Sequence, residues 1–265
     1  MRCLIYVAII VFPLPLSAAT PFEHSLLDEI LQTYVDTQGG VDYLSLKSDR
    51  ANLDSYTDSL ALYSPLSHPQ LFPTSDHELA YWINAYNAFV LRGVIDAYPV
   101  DSVMDIKYFN GFFNRQQFIA GGKKMTLDHI GNQIIRPVYK DPRIHFVVNC
   151  GAISCPALEN QAFSGPNLNK RLAAAQIRFM NNPQHLLINR QTPALYLSKI
   201  LDWYGEDFIN WNTHKDKSVS AIPTLLDYLI LFLPQADADF LRQHPDIEIS
   251  FYEYNWQLNK QSGKK

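Results

Sequence analysis

No regular alternation of strands and helices runs through this chain, and that limits its fold more than any other feature. Apolar residues recur at helical spacing from Pro21 to Gln38, at Phe22, Leu26, Leu27, Ile30, Leu31 and Val35, and Gly39-Gly40 ends the element. A second helix is predicted over Leu44–Leu62, then a proline-punctuated loop over Pro65–Pro73. A long helix follows, capped by Ser75 or Asp76 and running to about Tyr98. The middle reads as short elements. These are a strand at Gln117–Ala120 turning on Gly121-Gly122, a Thr126-capped helix ending near Pro137, and a buried strand from Arg143 to Cys150. A helix over Asn167–Met180 precedes paired strands at His185–Asn189 and Ala194–Lys199. Helices near Ile200–Ile209 and Val219–Leu231 and a strand over Ile247–Tyr254 complete the series.

Helices thus gather at the two ends, with strands between them and at the C-terminus. That distribution predicts α+β rather than a doubly wound α/β fold. The expected plan is a single globular domain with a small central sheet, mixed or antiparallel. Its parts are a helical lead at 20–74, a core at 75–210, C-terminal helices and strand at 211–258, and a disordered tail at 259–265.

Arg2, the apolar run from Cys3 to Leu16 and Ser17-Ala18-Ala19 have the plan of a secretory signal peptide spanning 1–19, cleaved after Ala19. The run is shorter than the ~20 residues of a membrane span and is broken by Pro13 and Pro15. The expected location is therefore periplasmic or secreted, with no membrane span after cleavage. Cys3 lies inside the apolar run, which argues against lipid anchoring. Loss of Arg2 takes the formal charge from −4 to −5, and no basic stripe is visible, so no nucleic-acid partner is expected. Hydrophobic residues at 47% exclude a disordered chain and allow a large core.

Three segments carry candidate chemistry. In Tyr81-Trp82-Ile83-Asn84-Ala85-Tyr86-Asn87, Asn84 and Asn87 share one helix face. Either they brace neighbouring backbone, or one of them orients a catalytic His. Tyr81, Trp82 and Tyr86 either line a ligand pocket or pack the core. The second segment, His145 to Pro156, brings His145, Cys150 and Cys155 together as a candidate nucleophile site. On a strand, His145, Val147 and Asn149 would share one face and Cys150 the other, so Cys155 could approach His145 more readily. In an oxidising compartment a Cys150–Cys155 disulfide is the competing expectation, and it would remove the thiolate. A metal site at these residues has little support, because C-x4-C lacks a second close pair. In the third segment, Asp128 and His129 lie in the first turn of a helix. They are either surface residues or polar partners of the cysteine turn. The remaining histidines, His24, His68, His77, His185, His214 and His244, read as surface residues. No cofactor is expected, since no Gly-rich phosphate loop, Gly-x-Ser-x-Gly elbow or His-Glu-x-x-His motif is present.

Tyr81 to Ala88, Gly121-Gly122, Leu127-Asp128-His129-Ile130, Ile135-Arg136, Asp141 to Phe146 and Asn149 to Pro156 occur in this order. With Leu197 to Ile200 and Trp203-Tyr204-Asp207-Phe208, they make the chain resemble the domain of unknown function 547 family over about Glu78–Asn210. The resemblance implies no agreed activity. It does expose a departure: Gly131 stands where similar sequences carry Glu in a Leu-Asp-x-Ile-Glu pattern, so an acid, base or His-orienting group is absent.

The favoured expectation is a disulfide-stapled binding or interaction domain for a small-molecule or peptide ligand. One alternative is a thiol-dependent hydrolase or acyl transferase using Cys150 or Cys155, with His145 as base and Asn84 or Asn87 orienting it. A second alternative is thiol–disulfide exchange.

Overall fold

Leu79 to Leu91 are all buried, and that unbroken run sets the architecture of the computed structural model, which describes residues 19–215 and 224–261. Side chains are not described at 212–215. Nearly all of the expected signal peptide, residues 219–223 of a predicted helix and residues 262–265 lie outside the described residues.

A helix apolar on every side must lie at the centre of a fold. This one, α4 (Ser75–Ala97), packs against α2 (Tyr43–Ser48), α3 (Ala51–Leu62) and α7 (Leu168–Met180). Its cap is Thr74 rather than Ser75 or Asp76, through Oγ1 accepting from the His77 amide at 3.4 Å. The first helix, α1 (Ser25–Tyr34), is shorter than its apolar pattern and packs on α3. The single helix predicted over Leu44–Leu62 is two, parted at Asp49-Arg50, where Asp49 accepts from the Tyr34 hydroxyl at 2.8 Å. Asp at a helix interior competes poorly with such a local partner.

After α5 (Gly111–Asn114) come β1 (Phe118–Ala120) and β2 (Lys123–Met125), an antiparallel hairpin turning on Gly121 and Gly122 at φ +55° and +78°. Thr126 caps the next helix by accepting from the His129 amide at 3.1 Å, as expected. That helix is π-helical over His129–Ile135 and continues through α6 (Arg136–Tyr139) instead of ending near Pro137. Pro137 stands just past the junction where the π-helical segment gives way to α6.

The largest correction concerns Arg143–Cys150. No strand forms there; Pro142–Phe146 is a 3-10 helix capped by Asp141, whose Oδ1 accepts from the Arg143 amide at 3.0 Å. A short apolar run has no periodicity to tell strand from buried helix, and the Asp-Pro start decided the matter. The alternating-face argument for His145, Asn149 and Cys150 falls with the strand.

β3 (Leu186–Asn189) pairs antiparallel with β4 (Ala194–Leu197), and β5 (Glu248–Phe251) pairs parallel with β4. The fold is α+β, as expected, with its strands divided between the hairpin and this mixed sheet. Instead of one helix near Ile200–Ile209 there are α8 (Lys199–Trp203) and α9 (Gly205–Lys215), broken at Tyr204. Thr224 caps α10 (Leu225–Ile230), and α11 (Gln235–Gln243) follows.

Beyond β5 the chain runs on as an extended strap. The amides of Ile153 and Ser154 donate to the carbonyls of Gln257 and Asn255 at 2.8 and 3.2 Å. Asn259 to Gln261, expected within a disordered tail, pair with the N-terminal lead. The Val41 amide donates to the Asn259 carbonyl at 2.8 Å, and the Gln261 amide to the Val41 carbonyl at 3.1 Å. Among the described residues no helix is long and apolar enough to cross a membrane.

Candidate functional site

The cysteine segment is held by amide brackets. Asn87 donates from Nδ2 to the Val147 carbonyl at 2.9 Å, and its Oδ1 accepts from the Asn149 amide at 2.9 Å. Asn149 then takes up the next turn: Nδ2 donates to the Pro156 carbonyl and Oδ1 accepts from the Gly151 amide, both at 2.7 Å. Gly151 sits at φ +82°, and a Cβ there would lie 3.1 Å from Val103 Cγ1. Asn84 makes a similar bracket around Phe163, donating to its carbonyl at 2.8 Å and accepting from its amide at 2.9 Å. Each Asn is buried with both ends of its amide occupied by backbone. The bracing alternative therefore holds, and neither Asn orients His145.

The turn so framed is closed by a Cys150–Cys155 disulfide with the Cα atoms 6.2 Å apart. A bonded pair offers no thiolate, so in this state neither cysteine is a nucleophile. The Cys150 amide donates to Cys155 Sγ at 2.9 Å. The strap brings the Tyr254 hydroxyl to 3.2 Å from Cys150 Sγ and 3.1 Å from Cys155 Sγ.

Beside this loop is a charged cluster. Asp207 on α9 accepts from Arg136 twice, Nε to Oδ2 at 2.7 Å and Nη2 to Oδ1 at 3.0 Å. Its Oδ2 also accepts from His145 Nε2 at 2.7 Å, since an ionised carboxylate can only accept. Arg136 reaches Asn132 Oδ1 at 2.9 Å, and Asn132 reaches Asp128 Oδ1 at 2.7 Å. The His145 ring stacks on Tyr204, with centroids 4.0 Å apart. Burial lowers the His145 pKa and outweighs the hydrogen bond to Asp207, which acts the other way; Arg136 adds to the lowering. The imidazole is neutral at pH 7. Burial opposes the charge of Asp207, yet the hydrogen bonds from His145 and Arg136 prevail and hold its carboxyl well below the usual range.

The two clusters meet at a cavity of about 360 Å³. His145, Cys150 and Cys155 form part of its wall, with Asp128, Gly131 and Arg136 from the π-helical side. Tyr86, Trp203, Tyr204, Tyr254 and Trp256 supply aromatic rings. Of these, Trp203 is 45% exposed, and its centroid is 4.8 Å from Tyr254 and 5.9 Å from Trp256. Burial raises the pKa of Tyr86, Tyr204 and Tyr254 above the ordinary phenol value, so all three are neutral donors.

The structure brings His145, Cys150, Cys155, Tyr86 and Asp128 to the wall of one cavity. Tyr81 and Trp82 belong to the core, and Tyr81 donates to the Tyr63 carbonyl at 2.7 Å. His129 is exposed and away from the cavity. His185, read as a surface residue, is buried and stacks on Phe179 at 4.2 Å. Sequence reasoning missed roles for Arg136, Asn149, Tyr204, Asp207, Tyr254 and Trp256. Four of these lay within the quoted motifs, but only the fold shows Arg136 and Asp207 meeting across 71 positions. At Gly131 a Cβ would touch only Tyr86 Cε2, at 3.7 Å, so a side chain would fit there. Among the described residues no three of His, Cys, Asp and Glu are grouped as a metal site.

No curated protein and no solved structure matches the chain. Residues 71–180 match the model of a family described as protein of unknown function, DUF547, which takes in α4, the hairpin, the π-helical segment and the cysteine loop. The match over residues 71–180 supports placing the chain with the DUF547 family.

Proposed function

We propose that the protein is an exported binding domain whose ligand lies in the disulfide-walled cavity and presents a ring or apolar face to the aromatic cluster. One observation carries this reading: six aromatic side chains, Phe113 among them, converge on a single cavity, and one of them, Trp203, remains 45% exposed. Aromatic rings with one wet edge suit ligands that are part apolar and part polar. Arg136 is already paired with Asp207, so the cavity offers no free cation for an anionic ligand. A neutral small molecule or a peptide side chain fits the wall best.

Tryptophan fluorescence tests this with a panel of neutral sugars and aromatic dipeptides. A saturable change is expected for one class, with Kd raised about tenfold or more by Trp203→Ala, the loss of one ring contact. Binding that ignores Trp203→Ala, or no saturable ligand in the panel, overturns the reading. Export is tested by intact mass of the protein recovered outside the cytoplasm. A chain beginning at Thr20 is expected, and one retaining Met1 counts against export.

A further inference from the structure

Two features of the cavity wall are left without a role by ligand binding alone. His145 is 6% exposed and donates Nε2–H to Asp207, while its Nδ1 makes no hydrogen bond among the described residues. Buried ring nitrogens are normally partnered. His145 borders the cavity and its partner Asp207 does not. The second feature is the disulfide. Both cysteines border the cavity; Cys155 Sγ accepts from the Cys150 amide at 2.9 Å and lies 3.1 Å from the Tyr254 hydroxyl, which is also 3.2 Å from Cys150 Sγ. Cys155 is 5% exposed, and Cys150 is the more open of the pair.

We infer that the cavity performs thiol–disulfide exchange with a small thiol or a thiol-bearing peptide, with Cys150 as the sulfur attacked and Cys155 as the leaving thiolate. This rests on the cavity being a ligand site and narrows its ligand to a thiol. The ligand thiol gives its proton to His145 Nδ1, and its sulfur bonds to Cys150 Sγ as the Cys150–Cys155 bond breaks. The electron pair of the broken bond goes to Cys155 Sγ, where the Cys150 N–H and Tyr254 O–H hold the charge. A second ligand thiol resolves the mixed disulfide, leaving two protein thiols and one ligand disulfide. Exchange is faster when the leaving thiol has a lower pKa, and donors aimed at one sulfur lower it. The titratable and charged groups around the pair are Tyr254 from the strap, Tyr204 beside α8, Tyr86 from α4, and Asp128 and Arg136 from the π-helical side, with Asp207 behind His145.

The test incubates the folded, oxidised protein with 2-mercaptoethanol, a small neutral thiol, and quenches it with acid for mass mapping. A mixed disulfide on Cys150 is expected. Tyr254→Phe should slow its formation about tenfold and raise the alkylation pKa of Cys155 in the reduced protein. His145→Gln should flatten the pH profile of the exchange between pH 5 and 8, a change that a packing role alone would not produce. Circular dichroism confirms that each variant is folded. A disulfide that survives millimolar 2-mercaptoethanol, an adduct on Cys155, or a Cys155 pKa unmoved by Tyr254→Phe overturns the proposal. Fluorescence titration of the oxidised protein with non-thiol ligands is scored separately, so failure of exchange and failure of binding are told apart.

Discussion

Asn84 and Asn87 on α4 and the Asp207 cluster across the cavity are both polar groups set among aromatic rings, and they differ in completeness. Each Asn amide has donor and acceptor bonded to backbone, with all bonds at 2.8–2.9 Å. Arg136, Asp207 and His145 satisfy one another too, but the chain of bonds stops at His145 Nδ1. A polar group whose nitrogen and oxygen both bond backbone positions that backbone, and one with a bare atom beside a cavity can meet a ligand. The difference separates the braces from the site more sharply than residue type does.

The contrast breaks most visibly in stability. Asn87→Ala leaves the Val147 carbonyl and the Asn149 amide without partners, a loss of about 2–6 kcal/mol at about 1–3 kcal/mol per orphaned buried group. His145→Gln should lose less, and urea unfolding ranks the two. If His145→Gln is the more damaging, the cluster is a brace as well.

Acid should weaken the fold next. Burial lowers His185 to about 4, below its unfolded value of 6.5, so the unfolded chain binds the extra proton between those values. Stability is therefore full above pH 6.5 and falls as pH drops toward 4. The loss at pH 5 is on the order of 2 kcal/mol for a group held neutral by burial. His185→Phe should flatten that slope in denaturant titrations at pH 5 and 7; an unchanged slope places the acid sensitivity elsewhere.

Two glycines, Gly131 on the cavity wall and Gly151 in the cysteine turn, sharpen the comparison. Gly151→Ala puts a Cβ at φ +82° and 3.1 Å from Val103, with an expected loss of roughly 1–2 kcal/mol. Gly131→Ala, with open space before it, should hold or raise stability by up to about 1 kcal/mol. Thermal melts of both variants check the pair, and a damaging Gly131→Ala would mean that the helix needs a bare backbone there. The smallest effect is electrostatic. Arg136 depresses the His145 pKa, so Arg136→Gln should raise it, visible as an upward shift in the NMR titration of its ring protons. A downward shift would show that Arg136 acts chiefly by placing Asp207.

Much of this was legible in the chain. The α+β class followed from where helical and strand periods occur, and the hairpin at Gly121-Gly122 from glycines able to take positive φ. The pairing of Cys150 with Cys155 stood among the expectations because only two cysteines follow the apolar leader. These are local properties of spacing, backbone freedom and count. The 3-10 turn at Pro142–Phe146 escaped because Ile, Phe and Val in a short buried run fit either period. The site escaped further. Asp207 reaches His145 across 62 positions, and Tyr254 reaches Cys150 across 104. Sequence alone determined which segments could be helices, turns and cross-links, since neighbours along the chain decide those. Only the tertiary structure decided which polar groups meet and which stay unpaired, because partners that saturate a buried atom are chosen by packing, not by distance along the chain.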